Sequence, residues 1–156
     1  MKSQNRFHPW WAVLTVWVVV NAVNLLQSAG FLSRVVTGNR QINHFLGYGI
    51  IALGLPAILA LVAFVRAHAG WRLWIGPAVF LLFIVLMILV EHIWQVEFRS
   101  PMRYDILVPY LVLFFGSIFL MGVPMFRLDR RLWLITAITT VILLGSMGYA
   151  MYMGVG

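Results

Sequence analysis

The chain has 156 residues, of which 63% are hydrophobic and 10% charged, whereas a soluble domain carries roughly 25% charged residues. A net charge of +7 would suggest nucleic acid in a soluble protein, but here the bases sit in short stretches between apolar runs, a pattern of membrane topology and anionic headgroups that excludes nucleic-acid binding. With no cysteine, disulfides, thiolate catalysis, iron–sulfur ligation and cysteine-type zinc sites are excluded as well.

A membrane-crossing helix needs about 20 mostly apolar residues, and five stretches qualify: residues 10–32, 45–65, 73–94, 106–126 and 132–153. The expected fold is therefore an all-α, five-transmembrane-helix bundle in a single domain spanning 1–156. Lys2 and Arg6 ahead of the first run imitate a secretory signal, but Gln27 stands where a cleavage site wants a small residue, so this run reads as the first span. Tryptophans mark the boundaries: Trp10, Trp11, Trp71, Trp74, Trp94 and Trp133 fall at or near span ends, where an amphipathic ring prefers the headgroup level, and Trp17 is the exception.

Five spans put the two termini on opposite sides. The N-terminus (Lys2, Arg6), the second loop (Arg66, Arg72) and the fourth loop (Arg127, Arg130, Arg131) hold seven bases, against four in the first loop (Arg34, Arg40) and third loop (Arg99, Arg103). The positive-inside rule then predicts a cytoplasmic N-terminus and an extracytoplasmic C-terminus.

Within span 1, Trp17, Asn21, Asn24 and Ser28 recur at intervals of four, three and four and share one helical face, with Gln27 beside it. Amides facing lipid would lose their hydrogen bonds, so this stripe is expected to meet another helix or a water-filled cavity. Span 2 opens with Asn43 and His44; Gly47 and Gly54 permit a close helix approach, and Pro56 frees a carbonyl one turn earlier. Prolines recur at Pro77, Pro109 and Pro124. Span 5 carries Thr136, Thr139, Thr140, Gly145, Ser146 and Gly148, small and hydroxyl residues suited to close packing.

Three of the four acids lie between residues 91 and 105. The topology assigns Asn24, Gln27 and Ser28, Asn43 and His44, Glu91, His92 and Gln95, and the third-loop residues Glu97, Arg99, Arg103 and Asp105 to one extracytoplasmic face. Two chemistries compete there. In one, the acids and arginines form a structural ion-pair network. In the other, together with Asn21 they line a pocket for a lipid, quinone or other amphipathic ligand, because a carboxyl and a histidine at the hydrocarbon edge are costly unless they pair or bind. Haem or metal ligation by His44 and His92 is a weaker option, since no zinc signature accompanies them.

Span number, length and tryptophan content resemble the TspO translocator family, with Val108-Pro-Tyr-Leu111 as a local echo. That family's proline- and tryptophan-rich first loop is missing and the echo falls on the fourth span, so no family is assigned and no residue roles carry over. The loops leave little room for catalytic machinery. The sequence thus favours a non-enzymatic binding protein of the lipid bilayer, acting as an accessory subunit beside a membrane-protein partner or in a homo-oligomer, or as the holder of an amphipathic ligand. A small enzyme or redox protein using Glu91, His92 and His44 is the alternative, and a proton or ion pathway the third.

Overall fold

A computed structural model describes residues 9–38, 40–96 and 103–154, apart from the side chains at positions 40, 41, 43 and 44. Its elements are α1 (Trp10–Thr37), α2 (Arg40–Ala52), α3 (Gly54–Arg66), α4 (Trp71–Met87), a π-helical turn (Ile88–Ile93) that continues α4, α5 (Tyr104–Leu128) and α6 (Arg130–Tyr152). Among the described residues, five helical stretches are long and apolar enough to cross a membrane: Trp10–Thr37, Phe45–Arg66, Trp71–Ile93, Tyr104–Leu128 and Arg130–Tyr152. The fold is the expected all-α bundle.

The bilayer explains why these residues are helical. The middle of α1 is rich in β-branched valines (Val13, Val16, Val18, Val19, Val20, Val23), which lower helix propensity in water. Hydrocarbon offers the backbone no other hydrogen-bond partner, so the helix forms regardless. Span 2 is divided at Leu53. Pro56 has no N–H to give the Ala52 carbonyl, and α2 stops there while α3 resumes at Gly54.

Helix α1 packs against α6 and also against α2, α3 and α5; α4 lies between α3 and α5, and α5 meets α6. The core runs through Val16 and Val20 of α1, Phe64 of α3, Phe80 and Phe83 of α4, Met121 of α5 and Leu143 of α6. Hydrogen bonds join α1 to α6 at a nearly constant separation, Trp17 to Leu132, Asn21 to Thr136 and Asn24 to Thr139, so these two helices run parallel. The start of α1 and the α5–α6 turn therefore share one end of the bundle, called proximal below; the ends of α1 and α4 share the other, distal end.

Glycines divide sharply by what faces them. A Cβ on Gly76 would fall 2.8–2.9 Å from the backbone of Leu120 and Met121, so α4 and α5 touch main chain to main chain there. Pro124 removes the N–H that would bond the Leu120 carbonyl within α5, and the bare face of Gly76 leaves room for that carbonyl. At Gly54 the neighbours are side-chain tips, Ile84 at 3.0 Å and Leu81 at 3.9 Å. Gly47, expected to share a close approach with Gly54, faces open space, as do Gly145 and Gly148. In α6 the intramolecular packing falls instead to Thr136, Thr139 and Ser146, all buried.

Candidate functional site

Among the described residues, most of the polar side chains expected to converge fall into two separate groups. The first is a seam between α1 and α6. Asn21 Nδ2 donates to Thr136 Oγ1 (3.1 Å) and to its own helix at the Trp17 carbonyl (2.7 Å), while Thr139 Oγ1 donates to Asn21 Oδ1 (2.7 Å). Asn24 Nδ2 donates to both Thr139 Oγ1 and Thr140 Oγ1, each at 3.0 Å. Trp17, the tryptophan that broke the boundary pattern, donates its indole N–H to the Leu132 carbonyl at 3.0 Å, so this indole is spent on a helix partner rather than on headgroups. Ser28 Oγ closes the stripe locally on the Asn24 carbonyl (2.7 Å), and Gln27 is half-buried beside it.

This seam corrects a depth. Asn24 was expected at the outer end of span 1, but α1 continues to Thr37, which leaves Asn24 near the helix midpoint, fully buried and level with the middle of α6. Its Oδ1 is buried and has no hydrogen-bond partner among the described residues.

The second group surrounds the distal end of α4. From Ile88 the helix widens into a π turn, closed by Trp94 N–H donating to the Leu89 carbonyl (2.8 Å) and Val96 N–H to the Val90 carbonyl (3.0 Å). The wider turn carries Glu91 and His92. Such turns are uncommon and gather at functional sites because the extra residue re-aims neighbouring side chains. Glu91 Oε1 accepts a hydrogen bond from Tyr110 Oη of α5 at 3.0 Å. His92 meets Tyr48 of α2 edge to face, with ring centroids 5.3 Å apart, and its Nδ1 is buried with no hydrogen-bond partner among the described residues.

Beneath the pair lies an aromatic floor. Phe83 packs against Tyr110 (5.1 Å) and Phe114 (5.2 Å) and stacks beside Phe80 (6.3 Å). Tyr110 is 6% exposed, so its hydroxyl reaches Glu91 from an apolar wall. Water competes weakly for a hydrogen bond held in such surroundings.

Gln95 leaves the group. An α-helical register would set it on the face of Glu91 and His92, but the π turn ends the helix first; Gln95 adopts φ 48° and is exposed. Arg103 and Asp105 pair with each other at 3.0 Å on the surface. Glu97 and Arg99 lie outside the described residues, as do the side chains of Asn43 and His44, and among the described residues no group of three or more potential metal ligands forms.

Comparison of the chain with protein-family models, with curated proteins and with solved structures returns no match. The chemistry of the distal group is therefore the guide to function.

Tyr48 and Tyr110 went unrecognised as partners at the sequence level. A tyrosine one turn inside an apolar run is a weak signal, though its ring suits lipid while its hydroxyl still demands a partner. The π turn has no sequence signal at all: the turn holds no proline or glycine.

Proposed function

We propose that the chain acts by binding rather than by catalysis, holding the polar head of a lipid- or quinone-like amphipath at Glu91, His92 and Tyr110. The observation that carries this is His92 Nδ1, a buried polar atom without a partner beside a bonded carboxyl–phenol pair. Leaving such an atom unmatched costs about 1–3 kcal/mol, and a ligand head would recover that cost. The imidazole suits either redox form of a quinone head: protonated at Nδ1 it donates to a carbonyl, and in the other tautomer it accepts from a hydroxyl. Exposed Ile93 and Val108 at the same end give the tail an apolar surface continuous with the lipid.

Extraction of the protein from its membrane in mild detergent, followed by mass spectrometry of the co-purifying small molecules, tests this. The expected result is one amphipathic species at near-stoichiometric amount, reduced at least tenfold in His92→Phe and in the double variant Glu91→Gln/Tyr110→Phe, with helicity unchanged. An ordinary bilayer lipid mixture, identical in wild type and variants, would refute it.

One observation favours a second reading, a subunit within a larger membrane assembly. Gly145 and Gly148 face open space together with Val141 and Tyr152, which are 68% and 86% exposed, and small residues on a bare helix face allow another helix to approach closely. The natural chain has no cysteine, so Val141→Cys gives a clean reporter. Oxidative crosslinking to itself or to one partner in native membranes is the expected result, and a wholly monomeric product removes this reading.

A further inference from the structure

At the opposite, proximal end, the α5–α6 turn forms a second site of different chemistry, independent of the ligand proposed above. A hollow of about 360 Å³ is lined by Phe126, Arg127, Leu128, Asp129 and Arg130. Helix α5 ends at Leu128 and α6 begins at Arg130, so a single residue joins them and the hollow's walls are held by helix on both sides. Arg130 lies over the Phe126 ring at 5.6 Å, and Phe126 meets Trp133 edge to face at 5.2 Å. This aromatic pair fixes one guanidinium and sets the turn at the depth where indoles favour the membrane interface.

The charge of this turn is unbalanced. Arg127, Arg130 and Arg131 face a single acid, Asp129, whose Oδ1 accepts from the Arg131 backbone N–H at 2.8 Å as the cap of α6. None of the three guanidiniums takes part in an ion pair among the described residues. A fixed cationic hollow at headgroup depth, floored by aromatic carbon, matches an anion carried on an apolar tail. We propose that it holds the phosphodiester headgroup of an anionic phospholipid, with Arg127 and Arg130 contacting phosphate oxygens and the acyl chains running down beside Phe126. Arginine forks suit phosphate oxygens in pairs.

The test uses the full chain in nanodiscs of phosphatidylcholine containing either brominated phosphatidylglycerol or, at the same mole fraction, brominated phosphatidylcholine. Bromine quenches nearby tryptophan. Excess quenching by phosphatidylglycerol is expected, and the Trp133→Phe variant should remove it, which locates the lipid at this turn. Each arginine near an anionic surface contributes about a fivefold preference, so Arg127→Gln/Arg130→Gln should lower the phosphatidylglycerol preference by roughly 25-fold, and Arg127→Lys/Arg130→Lys should restore part of it. Excess quenching that survives either the Trp133 or the double glutamine substitution overturns the proposal. So does displacement of the lipid by sodium phosphate but not by sodium chloride of equal ionic strength, because the hollow would then be a site for free phosphate.

Discussion

Gly76→Ala is expected to destabilise the bundle by about 2–3 kcal/mol, at the upper end of the overpacking range, and Gly76→Leu to prevent α4 and α5 from assembling. The sign is the informative part. In a helix interior, glycine to alanine ordinarily stabilises by roughly 0.5–1 kcal/mol, because the backbone has less freedom to lose. At Gly76 the new methyl group would lie under 3.0 Å from main-chain atoms of Leu120 and Met121. Backbone cannot rotate out of the way as a side chain can, so the two helices must separate. A gap of roughly 0.5–1 Å already forfeits a quarter to a half of each dispersion contact along the interface, and in lipid this packing is most of what holds helices together.

Two other glycines calibrate the result. Gly54→Ala meets only the flexible side-chain tips of Ile84 and Leu81 and should cost less, while Gly116→Ala meets nothing within 4 Å and should be neutral or slightly stabilising. Reversible unfolding in bicelles, followed by circular dichroism, gives all three values. Equal effects at Gly76 and Gly116 would show that α4 and α5 do not touch at that point.

The same glycine shows where sequence reasoning stops. Spans are legible because lipid imposes a one-dimensional rule, about 20 apolar residues with a helix as the only answer, and all five were found within a few residues of their observed ends, apart from the longer C-terminus of α1. The stripe from Trp17 to Ser28 was legible for a similar reason, since a periodicity of 3.6 maps spacing directly onto a face. Gly76 escaped notice because a glycine becomes a contact only when another helix is set against it, and that information lies near Leu120. For Glu91, the sequence gives the residue types but neither the π turn that aims them nor Tyr110, 19 positions away. A residue's depth was equally opaque until its partner helix was in place: Asn24, grouped with the outer end of span 1, lies near the middle of α1 and bonds to the middle of α6.

That mid-helix position makes the seam the next most consequential feature. Replacing both Asn21 and Asn24 with leucine forfeits four interhelical hydrogen bonds at about 0.6 kcal/mol each on average in membranes. With the relief of the unpartnered Asn24 oxygen set against that loss, the net cost is expected to be about 1 kcal/mol or less. The threonines are not orphaned: Thr136 Oγ1 also donates to the Leu132 carbonyl, and Thr139 and Thr140 both reach the Thr136 carbonyl. The loss is therefore confined to the bonds themselves, without a desolvation penalty on α6.

The two single variants should nevertheless differ. Asn21 has both ends of its amide bonded, so Asn21→Leu forfeits bonds and gains nothing. Asn24 holds two donor bonds but carries an unpartnered buried oxygen, whose penalty of about 1–3 kcal/mol disappears in Asn24→Leu. The Asn24 variant should therefore be the milder of the two, near neutral or even stabilising. Unfolding free energies of both singles and the double in bicelles decide this. A larger loss at Asn24 would mean that its carbonyl oxygen is matched in the bilayer by a donor that the helices themselves do not supply, and the seam would then be a binding site rather than a fastening between α1 and α6.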